Sequence, residues 1–418
     1  MTALLIPNPV LGARHLLPLP SQPDFAAYYL AARALNAGLS PYDANAVARV
    51  AAASGGLPYS PYLYPPAFAG LLRPVAALPY DAARCLWLGV NLLWLVWGTL
   101  LVARATGLRD ERRWLVLAAL PFVPSALHTL ELGQVTGLLL VLVGLAVTPA
   151  GAGPSPLAHW LRGVALGLAA GVKVFPALVA LPWLARRDWR SVGGAVLGIA
   201  SLAGAGVALG GGVTTLRYWF SDVLPAAAAG SALPVNQSVW AVADRLFTPQ
   251  SFGAVTIGLE ARTVSVLPLI PSPVLGAVLG SVLTTALVAV TVLMIFRGDA
   301  AAGGARGVAP SALALTCALA VTPLVWDHYY LLLLLPVCHL ATATNGKPAA
   351  RWLLIVGCGL LAAHRYWRQL LLLGSPVLLG LGAAGTIALW LAQVLVLQER
   401  GRGACRGGWG SRSPGALR

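Results

Sequence analysis

The stretch Gly163-Val-Ala-Leu-Gly167-Leu-Ala-Ala-Gly171-Val-Lys173-Val-Phe-Pro176-Ala-Leu-Val-Ala-Leu-Pro182-Trp-Leu-Ala185, followed at once by Arg186-Arg187-Asp188-Trp189-Arg190, decides the layout of this chain. Its length matches the roughly 20 apolar residues that cross a bilayer. Pro176, however, removes a helical hydrogen bond near its middle, and Lys173 puts a cation at the same place. Around it the chain is of one character: of 418 residues, 58% are hydrophobic and 10% charged, against about 45–50% and 25% in soluble domains. Such a chain cannot keep its surface in water, and the helix is the economical way to satisfy a backbone in lipid. The composition therefore predicts an all-α, polytopic membrane protein.

Ten apolar segments stand out: 85–103, 114–130, 132–148, 163–185, 191–213, 274–296, 308–325, 329–344, 352–363 and 370–397. Several are too short for a straight span, which predicts about ten or more transmembrane or re-entrant helices, some tilted or broken. Basic residues accumulate in cytoplasmic loops, so Arg104, Arg109, Arg112 and Arg113 place the first loop inside. If every later segment crossed once, Arg186, Arg187, Arg190, Arg297, Lys347 and Arg351 would all fall outside. A re-entrant hairpin at 163–185, turning near Lys173-Val-Phe-Pro176, removes the conflict. The inside then carries 17 basic and 5 acidic residues, the outside 10 and 8.

This topology divides the chain into an outer N-terminal loop with an amphipathic helix (1–84), a helical group containing the hairpin (85–213), an outer loop (214–273), a second helical group (274–398) and a basic, disordered cytoplasmic tail (399–418). Prolines at 7, 9, 18 and 20 interrupt the N-terminus before it reaches spanning length. Several function classes are excluded. Only Lys173 and Lys347 are lysines, and no continuous basic face supports nucleic-acid binding. None of Cys85, Cys317, Cys338, Cys358 and Cys405 pairs at metal or redox spacing, so no metal or disulfide framework is expected. Gly380-Leu-Gly382-Ala-Ala-Gly385 copies a dinucleotide fingerprint without the strand that must precede it. Gly163, Gly167 and Gly171, four residues apart, read as a close helix-packing face.

The hairpin topology gathers the polar residues on the outer face, and the candidate active site with them. Asp24 opens a short amphipathic helix after Pro23, with Tyr28 one turn on; the plain alternative is an N-cap. Asp43 follows Pro41-Tyr42 and suits a turn. Lys173 sits mid-segment, where an unpaired cation costs at least ~2.5–3.5 kcal/mol. It needs a partner, either a bound phosphate or an acid such as Glu131 or Asp327. Trp326-Asp327-His328-Tyr329-Tyr330 falls at the outer boundary; its aromatics suit interface anchoring, while His328 is available to an anionic ligand. Tyr218, Trp219 and Trp240 suit the interface or a sugar face. Asn236-Gln-Ser238 also fits a glycosylation acceptor.

In chain order, Asp24-Phe-Ala-Ala-Tyr-Tyr with Gly38 and Pro41-Tyr42-Asp43, Tyr64-Pro65-Pro66, Leu132-Gly133-Gln134, Gly171-Val-Lys173-Val-Phe-Pro176, Asn236-Gln237-Ser238 and Trp326-Asp327-His328-Tyr329 resemble the family 87 glycosyltransferases of the polytopic GT-C type. That family includes bacterial polyprenyl-phosphate-mannose-dependent mannosyltransferases. The resemblance implies a GT-C-like bundle that transfers a sugar, mannose first among candidates, with inversion from a polyprenyl-phosphate donor to a lipid or glycan acceptor. The site would lie on the outer face of the plasma membrane, with no cofactor or metal. Asp24 would be the general base. Lys173, His328, Arg365 and Arg368 would bind the donor phosphate, and Tyr28, Asp43, Tyr64, Gln134, Asn236, Gln237 and Asp327 the substrates. The family has a spanning helix before its first outer loop, which residues 1–23 do not supply. An arabinofuranosyl donor, or a transporter or flippase for a lipid-linked substrate, are the competing readings.

Overall fold

The computed structural model describes residues 20–148, 155–257, 260–301 and 307–407; the N-terminal residues 1–19 and the tail from 408 onward lie outside them. Helices α1 (Pro23–Asn36), α2 (Ala44–Ala53) and α3 (Pro66–Leu71) precede the bundle. The bundle begins with α4 (Tyr80–Ala105), α5 (Asp110–Ala119), α6 (Pro124–Leu132), α7 (Thr136–Val147) and α8 (Pro156–Val172). A 3-10 segment, Phe175–Ala180, runs into α9 (Leu181–Ala185), followed by α10 (Trp189–Leu209). The 214–273 region holds α11 (Gly212–Tyr218), α12 (Leu224–Ala228), α13 (Val239–Phe247) and one antiparallel hairpin, β1 (Gln250–Ile257) with β2 (Glu260–Val266). Among the described residues that hairpin is the one sheet in a helical fold. The bundle closes with α14 (Pro273–Ala301), α15 (Ala309–Val321), a 3-10 segment (Asp327–Leu333) leading into α16 (Leu334–Ala343), α17 (Pro348–His364), α18 (Trp367–Leu372) and α19 (Leu381–Gly407).

Among the described residues, four helices are long and apolar enough to cross a membrane: Tyr80–Ala105, Trp189–Leu209, Pro273–Arg297 and Leu378–Gln398. Segment 114–130 falls on α5 and α6, which meet at a 58° bend before Pro124, where the ring cannot accept a place in a continuing helix. Segment 370–397 is also two helices, α18 and α19, broken by Ser375 and Pro376. The last helix continues through 399–407, the first part of the tail expected to be disordered.

Glycines fix the direction of travel. A Cβ at Gly163 would stand 2.1 Å from the Ser191 carbonyl oxygen, one at Gly167 2.1 Å from that of Ala195, and one at Gly171 2.7 Å from Leu202 Cδ2. Positions rise together, so α8 and α10 run parallel, backbone against backbone. The chain between them must return, which makes the 175–185 segment an antiparallel arm beside α8. Lys173, extended at φ −139°, ψ 129°, is the turn. It therefore lies at one end of the bundle and not at mid-depth, as a straight reading of the apolar run suggests. Helices α4 and α7 are parallel by the same test: a Cβ at Gly98 would meet Leu140, and one at Gly144 would meet Leu101. The bent α5–α6 pair is their return.

One expectation for the N-terminal region is corrected. Helix α1 is not a surface amphipath: from Phe25 to Leu35 every residue but Arg33 is buried. Phe25 stacks on Trp87 of α4 with 5.2 Å between ring centroids, and Tyr28 meets Phe68 of α3 edge-on at 5.1 Å.

Candidate active site

Asp24 enters the site through an unusual backbone. Gln22 occupies the N-cap of α1 in a left-handed conformation (φ 48°, ψ 56°), which costs a non-glycine residue about 1 kcal/mol or more. Its amide nitrogen donates to the Glu131 carbonyl oxygen at 3.0 Å, joining α1 to the end of α6. Asp24 is thus inside the helix, and the N-cap alternative fails, since no side chain caps this end. Gly133 closes α6 at φ 70°, and a Cβ there would stand 2.7 Å from Phe25 Cβ. Glycine is required on both counts, and it lets α1 approach the next residue, Gln134.

Gln134 orients the acid. Its Oε1 accepts from the Tyr28 hydroxyl at 3.1 Å and the Tyr64 hydroxyl at 2.8 Å. With the oxygen fixed by two donors, Nε2 can only donate, and its acceptor is Asp24 Oδ2. Asp24 and Tyr28, one helical turn apart, therefore meet the same amide. Burial raises the Asp24 carboxyl above its ordinary value, against the lowering effects of Gln134, Lys173 and His128. Burial thereby strengthens the hold of this acid on a proton, which suits a general base.

Lys173 pairs with neither Glu131 nor Asp327. Its Nζ lies 3.7 Å from the centroid of the Tyr329 ring and 5.2 Å from that of Tyr64. Phe175 stacks behind Tyr329 at 5.4 Å. Ring faces attract a cation by about 0.5–2 kcal/mol but leave its three N–H donors unused. Among the described residues Lys173 has no ion pair within 4 Å.

A cavity of about 1010 Å³ opens beside Asp24. Its polar wall carries His128, Glu131, Asp327, His364, Arg365 and Arg368. Asp327 lies between two imidazoles: Oδ1 is 2.7 Å from His364 Nε2 and Oδ2 is 3.6 Å from His128 Nδ1. A carboxylate only accepts, so the His364 proton sits on Nε2. Neither histidine was singled out in the sequence, because a lone histidine in an apolar helix carries no pattern. His328 does not line this cavity. It is 1% exposed, with both ring nitrogens unpartnered, 4.7 Å from the Tyr329 ring.

Tyr28, Tyr64, Gln134 and Lys173 do not line this cavity, and neither do the remaining sequence candidates Asp43, Asn236 and Gln237. Asp43 caps α2, accepting from Asn45 N and Ala46 N at 2.9 and 3.1 Å. Asn236 is a buried staple: Nδ2 donates to the Ser231 and Pro323 carbonyls and Oδ1 accepts from Ser238 N and Val325 N. Gln237 donates to the Pro234 and Leu379 carbonyls and accepts from Ala383 N. Every polar atom of both side chains is engaged with backbone, and both residues are buried, Asn236 of the glycosylation pattern included. Arg245, wholly buried, adds bonds to the Ala232, Leu233, Asn236 and Leu379 carbonyls. Together these residues tie the 231–245 region to 323–325 and the start of α19. Trp219 donates to the Leu63 carbonyl, and Trp240 packs on Gly280, so neither offers a free sugar platform.

A model of glycosyltransferase family 87 matches residues 62–323, a stretch that includes Tyr64, Gln134 and Lys173. In Mycolicibacterium smegmatis, a polyprenol-phosphate-mannose-dependent alpha-(1-2)-phosphatidylinositol pentamannoside mannosyltransferase is 33% identical over 135 residues, 32% of this chain and 31% of that protein. A polyprenol-phosphate-mannose-dependent alpha-(1-2)-phosphatidylinositol mannoside mannosyltransferase of the same organism is 29% identical over 254 residues, 56% of this chain and 55% of that protein. The matched stretches thus span about half the length of these relatives, or less. No solved structure matches the chain. With well over half of its residues inside the family match, the chain belongs to glycosyltransferase family 87.

Proposed function

We propose that this protein is an inverting glycosyltransferase of the plasma membrane, moving mannose from a polyprenyl-phosphate donor to a lipid or glycan acceptor on the outer face. The observation that carries the reading is a locked carboxylate, Asp24, in electrostatic reach of a buried lysine, Lys173, that has no ion pair within 4 Å among the described residues.

The chemistry needs these two groups. An acceptor hydroxyl gives its proton to Asp24 as its oxygen attacks the anomeric carbon from the face opposite the phosphate. The bond from that carbon to the phosphate oxygen breaks, and polyprenyl phosphate departs with one more negative charge. A phosphate leaving group takes no proton, so one carboxylate suffices, and a placed base contributes typically 10²–10⁴-fold. Lys173 is the cation that this reading assigns to the developing charge. Its tyrosine cage keeps it desolvated without supplying a competing anion. Relatives that use polyprenol-phosphate-mannose support the donor class.

The positions of the basic residues support the outer assignment. Following the helix directions, Arg104 to Arg113, Arg186 to Arg190 and Lys347 to Arg351 fall at the end of the bundle opposite Asp24, which is the cytoplasmic end by charge.

The test is transfer from labelled polyprenyl-phosphate mannose by membranes containing the protein. Wild type is expected to transfer, and Lys173→Ala to lose at least about tenfold in kcat/KM for the donor, the loss of one charge-assisted contact. Transfer from a polyprenyl-phosphate arabinofuranose and not from the mannose donor would change the sugar. No transfer from either would sink the reading and return a transporter to first place.

A further inference from the structure

We propose that His128 is a further catalytic residue: an imidazolium, kept protonated by Asp327, whose Nε2–H donates a hydrogen bond to a phosphate oxygen of the sugar donor as that phosphate departs. The inference rests on the transferase reading and adds to it a group on the cavity side of the reacting bond.

The reaction centres on Asp24, and two cations act on that carboxylate, Lys173 and His128. Of the two, only His128 lines the cavity that opens beside Asp24. Lys173 stands behind, its Nζ against the rings of Tyr329 and Tyr64. A departing phosphate spreads its new charge over several oxygens, so one ammonium on one side leaves the others to the cavity wall. His128 is on that wall, one helical turn before Glu131 on α6, which lines the same cavity.

The neighbours of His128 decide its charge. Its Nδ1 is 3.6 Å from Asp327 Oδ2, the two side chains being 30% and 14% exposed. The other carboxylate oxygen, Oδ1, is held at 2.7 Å by Nε2 of His364, whose side chain is 1% exposed. His364 is neutral, because a second proton would leave its Nδ1, buried and without a partner, as an unpaired N–H. It therefore fixes Asp327 without neutralising it. The remaining negative charge faces His128 and favours the protonated ring. A ring paired through Nδ1 keeps Nε2 for a ligand.

The other charges around the cavity are Asp24 on α1 and Glu131 on α6 itself, which favour the protonated ring, and Arg365 and Arg368 at the α17–α18 corner, which oppose it, as does Lys173. Asp81 and Arg84 of α4 pair with each other at 3.0 Å. Among the described residues only Asp327 pairs with His128 within 4 Å. His328 is the contrast: its ring lies 6.2 Å from that of His128, yet it is buried with both nitrogens unpartnered. Burial, and then the charges of Lys173 and His128, hold its pKa well below the usual imidazole value. His328 thus stays neutral, and the imidazolium that the resemblance expects there is supplied by His128.

The experiment measures transfer from labelled polyprenyl-phosphate mannose to octyl mannoside as a function of pH, per folded molecule, for wild type, His128→Gln and Asp327→Asn. Wild-type kcat/KM for the donor should show an alkaline limb, where His128 loses its proton. His128→Gln should remove that limb and lower kcat/KM by about tenfold, the loss of one charge-assisted contact. Asp327→Asn keeps the shape and the acceptor for His364 but withdraws the charge that holds the proton, so its limb should move to lower pH. The KM for octyl mannoside should stay at the wild-type value in both. A rise in that KM with the limb unmoved would put His128 on the acceptor and overturn the proposal. Losses in both variants without a change in the limb would reduce the pair to a structural role; no loss, or a wild-type profile without an alkaline limb, overturns it as well. Wild type that uses no polyprenyl-phosphate sugar would overturn the transferase reading too, whereas wild-type transfer with an unmoved limb overturns the role of His128 alone.

Discussion

Each end of the bundle holds a cluster of histidine and aspartate, and the two have opposite fates. At the basic end, Asp188 Oδ2 is 2.8 Å from His159 Nδ1 and accepts from Ser191 Oγ at 2.7 Å, while Oδ1 accepts from Ser191 N and caps α10. Burial works to raise the Asp188 carboxyl, but the bonds from Ser191 and His159 prevail and hold it below its ordinary value. At the other end, Asp327 lies between His128 and His364, one imidazole nitrogen has no partner, and the group faces a cavity. The residue types are the same. What separates a structural cluster from a functional one is whether the donors and acceptors balance within the protein.

The largest effect tests the open end. Asp24→Asn should reduce sugar transfer by about 10²–10⁴-fold, the contribution of a placed general base, while leaving the melting temperature in detergent at or above wild type. The sign follows from the raised carboxyl: the folded state prefers the protonated acid, so ionising it weakens the fold, and a neutral amide carries no such cost. A lower melting temperature for this variant would show that Asp24 is a structural acid like Asp188.

Next in size is the glycine interface that fixes α8 against α10. Gly167→Leu drives a side chain into the Ala195 carbonyl and should destabilise the protein by about 1–3 kcal/mol or more, read as a fall in melting temperature and yield. A variant as stable as wild type would mean that the two helices are not in backbone contact.

Asp188→Ala should cost about 1 kcal/mol through the lost cap, with turnover per folded molecule unchanged. Because the Asp188 carboxyl is lowered, its contribution is present above the unfolded carboxylate range and disappears as pH falls through its folded value. The wild-type and mutant stabilities should therefore converge in acid and diverge toward neutrality.

The smallest change is the most diagnostic. Gln134→Leu removes a hydrogen bond that lowers the Asp24 carboxyl, so the acid limb of the transfer-rate profile should move to higher pH. A limb that stays in place would assign it to another group, with Asp327 the nearest alternative.

The helical class and the broken segment at 163–185 are legible in the sequence, and a resemblance singles out Asp24, Gln134 and Lys173, of which the structure joins the first two by a hydrogen bond. They were legible because each departs from its surroundings: an acid, an amide and a lysine in apolar or proline-bounded context. The depth of Lys173 was not, since hydropathy counts residues along a chain and does not see that α8 and α10 run parallel. Asn236 and Gln237 are not separable from binders in the sequence, because an amide near a membrane surface has one appearance whether it meets a sugar or a backbone carbonyl. His128 and His364 gave no signal at all; their meaning comes from Asp327, which only folding brings between them.

The turn at Lys173 also constrains how the chain enters its membrane. The descending arm consists of six residues of 3-10 helix and five of α-helix, well below the roughly 20 residues that insert as an independent span. It cannot be committed to the bilayer by its own partitioning. The orientation of everything downstream therefore waits on the arrival of α10, whose glycines dock against α8 and enclose the short arm beside them. Nascent chains halted before residue 189 and after residue 209 should display opposite locations for Asp188, making topology in this protein an outcome of packing as well as of charge.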